Sequence, residues 1–267
     1  MQTVIAVAMH KPYTVPDAPP YLPVQAGAAL YPDIGVQSDH TGESISPRNP
    51  LYCELTAHYW LWKNVTADVY GLCHYRRYFM CASRRTCYQS SLPEVAGCRR
   101  QTEGVLTLAE IEELLQTADV LVPRPRLYVI ETNWSHYAHA HRESDLVHLR
   151  AVMAEQCPDY LPAFDRVMKR RWGRRFNMFI MRREAFTAYS AWLFGLLFAL
   201  EARLGTEDIP PRTMGFIAER LMDVWLKKEK PRFRQLPVLH TEGQGWPRRI
   251  AAFLLRKVTG GRRGRKV

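Results

Sequence analysis

Short runs of consecutive apolar residues alternate along this chain with longer stretches of mixed character, a pattern of buried strands between amphipathic helices. Residues 2–9 are apolar and β-branched enough for a central strand, and the proline of His10-Lys11-Pro12-Tyr13 stops its pairing. A proline-rich loop is expected over 15–23, then a polar, turn-rich segment over 38–46. Ser46-Pro47 reads as an N-cap and first-turn proline opening one helix to about Asn64, with Leu51, Leu55, Tyr59 and Trp62 on one face. A second strong strand is predicted over 68–73. Residues 80–105 are irregular and rich in Cys, Ser and Arg, and read as a long surface excursion of the kind that often forms a lid. Next come a helix at 107–117, capped by Thr107 with Glu110 three residues on, and a short strand at 119–123 cut by proline. Helices at 144–156 and 160–171, a strand at 176–181, helices at 184–204 and about 213–227, and a strand-like run at 236–239 complete the pattern. The stretch 186–200 is nearly all apolar but shorter than the roughly 20 residues that span a bilayer, so it reads as a core helix. The alternation predicts an α/β layer fold with one domain over 1–240 and a tail over 241–267.

Composition sharpens this only in places. With 267 residues, 47% hydrophobic and 24% charged, the chain has the material for one large core. The N-terminus lacks a basic leader and reads as a strand, not a signal peptide. Six cysteines form no CxxC pair and read as reduced thiols of a cytoplasmic protein; Cys81, Cys87 and Cys98 lie close together without the knuckle spacing of a zinc site. The net charge of +11 is uneven: residues 247–267 hold eight basic residues and no acidic one, leaving the body near +3. A nucleic-acid groove is therefore not demanded. Ile250, Phe253, Leu254, Leu255 and Val258 among the tail's arginines suit an amphipathic helix on the anionic inner face of the cell membrane; the plainer reading is a solvated, frayed end.

The chemistry concentrates at 71–79, Gly-Leu-Cys-His-Tyr-Arg-Arg-Tyr-Phe, where a strand would end. Ligands of open α/β sheets bind beyond the carboxyl ends of strands, and arginine forks match phosphate oxygens. The block reads as a site for a nucleotide-sugar or similar anion, with Arg76 and Arg77, joined by His74, His10 and Lys11, on the diphosphate and Tyr75 on a sugar. A structural ion pair is the competing reading for the two arginines. No phosphate-binding glycine loop, dinucleotide fingerprint, zincin motif or Asp-x-Asp is present, so protein cations, without a metal, are expected to offset the diphosphate. The nearest acidic variant is Glu143-Ser144-Asp145. His136, His139 and His141 match no defensible metal spacing and read as surface loop or substrate contact. Glu219, beside Arg220 in the last helix, stands equally as a structural residue and as a general base. Asp39, Glu43, Asn49 and Asn177 either hydrogen-bond sugar hydroxyls or cap turns.

Taken in order, His10-Lys11-Pro12-Tyr13, Asp39-x-x-Gly42-x-x-Ile45-Ser46, Asn49, Tyr52-Cys53-Glu54-Leu55-Thr56, Tyr59-Trp60-x-Trp62-Lys63-Asn64, the 71–79 block, Asn177-Met178-Phe179-Ile180-Met181, Trp192-Leu193-Phe194 and Gly215-Phe216-x-x-Glu219-Arg220-Leu221 resemble the bacterial capsular and exopolysaccharide synthesis family first catalogued as domain of unknown function 4422. The likeness covers about residues 3–240. It implies a GT-A-like, Rossmann-related glycosyltransferase, with UDP-galactofuranose as donor and a lipid-linked glycan as acceptor. Glu219 would be the base of an inverting transfer, Asp39 the reserve, and Asn49, Tyr75, Asn177 and Arg220 would border acceptor or sugar. Asp39-His40 and Gly42-Glu43-Ser44 depart from the family's usual Asp-Asn and Gly-Asp-Asn, in a loop expected to face sugar. The rival class is a non-catalytic carbohydrate-binding or assembly protein.

Overall fold

A computed structural model describes residues 1–17, 19–80, 104–205 and 209–241. The tail and its membrane reading, the bulk of the 80–105 excursion with its lid reading, and Cys81, Cys87 and Cys98 lie outside the described residues.

Eleven strands and eight α-helices are described. The main sheet contains β1 (Thr3–Met9), β2 (Tyr21–Gln25), β3 (Gln37–Ser38), β4 (Val69–His74), β5 (Arg77–Phe79), β6 (Val120–Pro123), β9 (Phe179–Arg182), β10 (Phe233–Leu236) and β11 (Val238–His240), while β7 (Arg126–Leu127) and β8 (Trp172–Gly173) form a separate two-stranded antiparallel sheet. The helices are α1 (Asn49–Tyr52), α2 (Leu55–Asn64), α3 (Leu108–Leu115), α4 (Asn133–Ala140), α5 (Glu143–Gln156), α6 (Leu161–Met168), α7 (Arg183–Leu204) and α8 (Thr213–Glu229).

The sheet runs β10-β6-β9-β4-β1-β2-β3, with β5 and β11 joined beyond β4. Pairings along that path are parallel except those of β9, which is antiparallel to both β4 and β6. The carboxyl ends of β1, β4, β6 and β10 therefore share one edge with the start of β9. Side chains alternate across β1: Ala6 and Ala8 belong to the core cluster that α2, α5, α6, α7 and α8 build on one face, while Ile5, Val7 and Met9 belong to the cluster that includes Ile111 and Leu115 of α3 on the other. Gly71 leaves room where strands meet, since a Cβ there would lie 2.8 Å from Ile5 Cγ1 and 3.2 Å from Ile180 Cγ1. By length and composition α7 could cross a membrane, but Phe186, Leu193, Leu197 and Leu200 are buried in the core.

Four expectations change. The 15–23 loop ends in a strand, because Pro23 in β2 needs no donor of its own where backbone groups around it pair with β1. The single helix over 46–64 is a 3-10 turn (Ser46–Arg48), then α1, then α2, interrupted at Cys53, whose φ of 51° is left-handed. Ser46 is not a cap; its buried hydroxyl donates to Asp39. The histidine-bearing segment is helix α4, capped reciprocally by Thr132 and Ser135.

Candidate active site

The cation block is a tight hairpin. β4 ends at His74, Tyr75 and Arg76 make the turn, and Arg77 pairs back opposite His74. β11 supports it from outside, and Thr241 donates its N–H to Arg76 O at 3.1 Å. Tyr75 is fully buried, its hydroxyl 3.2 Å from His10 Nε2 and its ring packed on His10, Tyr13 and His74. Tyr75 is thus the floor of the hairpin rather than a face for sugar. His74 Nδ1 accepts the Arg76 N–H at 3.3 Å, which places its proton on Nε2. Burial first, then Arg77 and Arg76, push its pKa down to about 3. At neutral pH His74 is therefore an uncharged donor and not a third cation.

Arg77 and Arg126 lie 4.4 and 5.2 Å from the ring centroid of Phe176, and no carboxylate is within salt-bridge distance of Arg77 among the described residues. The structural ion-pair reading thus fails for Arg77. His10 and Lys11 are exposed at the end of β1.

The opposing wall is the first half of α8. It starts after Arg212, a left-handed residue (φ 67°) whose N–H donates to Pro50 O at 2.7 Å. Gly215 packs on Cys53, the other left-handed residue here; a Cβ on Gly215 would lie 3.5 Å from Cys53 Sγ. Such backbone costs roughly 1–3 kcal/mol per residue and persists where packing over-determines it. Asn177 Nδ2 donates to Glu54 Oε1 at 2.9 Å and to Gly215 O at 3.1 Å, joining three segments. One turn further along α8, Glu219 keeps 22% of its side chain exposed. Burial pushes its pKa up to about 8; Glu54 adds to the rise, while Arg220, Arg77 and Arg175 oppose it. A carboxylate near neutrality, open on one side and surrounded by guanidinium groups, has the properties of a general base.

Behind Glu219, Arg220 is 5% exposed, with its guanidinium 3.6 Å from the Glu219 carboxylate and donating to Phe216 O. His136 lies between Arg220 (3.3 Å to Nδ1) and Arg175 (3.1 Å to Nε2) and stacks on Tyr128. Burial and the two arginines drive its pKa down to about 4, so it stays neutral between two cations. Arg174, next to Arg175, is locked by a buried ion pair with Asp223 and by donation to Pro123 O.

The structure brings together His74, Arg76, Arg77, Asn177, Glu219 and Arg220, with His10 and Lys11 at the end of β1. It does not bring Asp39 or Asn49 to the site. Asp39 is fully buried and accepts from Gly27 N, Ala28 N and the Ser46 hydroxyl, so it braces a loop and has no free edge for a substrate proton. Asn49 donates to Cys53 O and Thr56 Oγ1. Glu43 accepts from Tyr59 and pairs with Lys63, and Thr41 accepts from Trp60, so the 38–46 loop is clamped to α2 rather than aimed at sugar. Of the other two histidines, His139 pairs with Glu131 and His141 stacks on Phe216. Asp145 is buried against Tyr137 and Arg142. Among the described residues no three His, Cys, Asp or Glu side chains are placed to hold a metal ion. A cavity of about 260 Å³ lies at the opposite, amino-terminal edge of β6, beside Asp119 and Trp225, away from this chemistry.

Glu54, Arg126, Arg175 and Arg212 belong to the site without having stood out in the sequence, whereas His136, expected in a surface loop or against substrate, lies on helix α4 between Arg175 and Arg220. Glu54 had a signal, since it sits within a quoted family block; the three arginines are ordinary surface-type residues until the fold gathers them.

No curated protein matches the chain. A solved structure titled as WbbM, a bifunctional glycosyltransferase in its apo form, aligns with a TM-score of 0.80 and 28% identity over 90% of this chain. The chain spans 45% of that structure's length. The shared architecture, a mixed sheet flanked by helices, is GT-A-like, as expected. A family profile matches residues 4–230, from the first strand to the end of α8, and the chain belongs to the family described as domain of unknown function 4422.

Proposed function

We propose that this protein is a glycosyltransferase of cell-surface polysaccharide synthesis, transferring galactofuranose from UDP-galactofuranose to a lipid-linked or glycan acceptor with inversion. The observation that carries the reading is Glu219, with a pKa of about 8, set between the hairpin arginine Arg77 and the Arg175–His136–Arg220 group. The likeness to a glycosyltransferase of known structure supports it.

In this mechanism Arg76, Arg77 and the Nε2–H of His74 hold the diphosphate, with Lys11 and His10 toward the nucleotide. Glu219 takes the proton of an acceptor hydroxyl as its oxygen bonds to the anomeric carbon. The bond from that carbon to the diphosphate oxygen breaks with its electron pair on UDP, and the guanidinium groups stabilise the added charge. Arg220 and Asn177 act on the acceptor side, Asn177 by positioning Glu54 and α8. The chemistry needs no metal, and the enzyme works on the cytoplasmic face of the membrane.

The test is UDP release and product NMR with UDP-galactofuranose, UDP-galactopyranose and a lipid-linked acceptor, with and without EDTA. Acceptor-dependent UDP release with inverted anomeric configuration, unchanged by EDTA, is expected. Glycan binding without UDP release from any UDP-sugar would instead favour a carbohydrate-binding assembly protein.

A further inference from the structure

The two-stranded β7–β8 sheet sets Leu127 opposite Trp172, and its outer side is bare. Leu127 is 69% exposed, Val129 70%, Ile130 64% and Trp172 36%, four of the nine exposed large hydrophobics among the described residues. The rest are scattered, so this is the concentrated patch.

The backbone presents these side chains deliberately. Val129 has a φ of 61°, and Ile130 N donates to Tyr128 O at 2.7 Å, closing a three-residue turn that a β-branched residue enters only under strain. Tyr128 N donates to Arg171 O at 2.7 Å. Asn133 Nδ2 donates to Val167 O and Trp172 O, and Gly173 lies so near that a Cβ would come within 2.5 Å of Asn133 Oδ1. Tyr128 turns inward onto His136, while its neighbours Leu127, Val129 and Ile130 stay in solvent.

A cationic collar surrounds the tip. Arg124, Arg166, Lys169 and Arg171 are exposed, and Arg170 lies 4.5 Å over the Trp172 ring. No acidic residue occurs within 124–130 or within 166–175. The acids just outside, Glu131 and Asp165, bind His139 and Arg150. Aliphatic side chains at the tip, an indole beside them and cations behind match the layers of an anionic bilayer: acyl chains, interface and phosphates. We propose that this β7–β8 edge, with the turn at 128–130, docks the protein on an anionic lipid surface, as a contact separate from the basic tail. The docking does not rest on the transfer reaction; it places the Tyr128–His136–Arg175 side of the site next to lipid.

The experiment uses the full chain, without sugar donor, and vesicles of phosphatidylcholine with or without phosphatidylglycerol. Wild type is expected to sediment with the anionic vesicles, and brominated acyl chains should quench its tryptophan emission. In a Trp246→Phe background, which removes the tail's own tryptophan, Trp172→Phe should lose most of that quenching. The triple change Leu127→Ser, Val129→Ser, Ile130→Ser should weaken partitioning about tenfold or more, since three apolar side chains leave the bilayer, with the thermal melt unchanged. Quenching that persists in Trp172→Phe in that background, or triple-variant binding equal to wild type, overturns the proposal and leaves the tail or a protein partner as the contact. Because Trp172→Phe leaves the turn intact, the quenching arm decides the matter even if the triple variant folds poorly.

Discussion

Replacing Glu219 by Gln keeps the shape of the side chain and removes the proton acceptor. With a pKa of about 8, about one Glu219 in eleven is ionised at pH 7 and about ten in eleven at pH 9, so a base-limited rate rises about tenfold over that interval. Three of the nearby histidines lie outside this window: His74 (about 3), His136 (about 4) and His240 (about 4) have already lost their protons below it. Cys53, pushed up to about 11, enters above it. The assay is single-turnover UDP release from pH 6 to 9.5, where chemistry rather than product release is observed. Wild type should follow one ionisation with unit slope. Glu219→Gln should be flat and slower by about 10²–10⁴-fold, the usual size of general-base catalysis. Glu54→Gln should move the midpoint to lower pH, because the Glu54 charge helps hold the Glu219 proton. A flat wild-type profile, or a Gln variant within a few-fold of wild type, would remove Glu219 from the mechanism.

Arg77→Ala should lower kcat/KM by about 10²-fold or more with little change in melting temperature, since Arg77 has no carboxylate partner to lose among the described residues; equal turnover would mean the diphosphate sits elsewhere. Asp223→Ala should cost about 3–5 kcal/mol in urea unfolding, because it strands the buried Arg174 charge; a cost under about 1 kcal/mol would contradict that account. His58, buried against Ser190 and four aromatic rings, has its pKa pushed down to about 3 by burial. A depressed folded pKa gives stability that is full above about 6.5 and lost as pH falls, so about 3 kcal/mol should disappear by about pH 4.5; His58→Leu should show less of this acid loss, and an identical pH dependence would exclude His58 as its source. Asp39→Ala should lower stability by frustrating the Gly27 and Ala28 N–H groups rather than by abolishing catalysis; a folded variant with no turnover would return Asp39 to the reaction.

Local pattern determined a good deal. The apolar runs of β1, β4, β6 and β9 and the Thr107–Glu110 capping box are encoded by neighbours a few residues apart, where burial period and backbone capping act. The cation block at 71–79 was legible because its arginines are adjacent in sequence. β2 was hidden because its proline silences the strand signal, and the break at Cys53 was hidden because a left-handed residue there is imposed by packing against Gly215 rather than by its own preference. Tertiary structure alone decided the chemistry of the site. Asn177 meets Glu54 across 123 residues, and His136 meets Arg220 across 84. Tyr75 and Asp39 pass from ligand groups to buried braces for the same reason. Whether a side chain is a base, a floor or a brace depends on which groups desolvate it and which charges surround it, and those come from segments that only folding brings together.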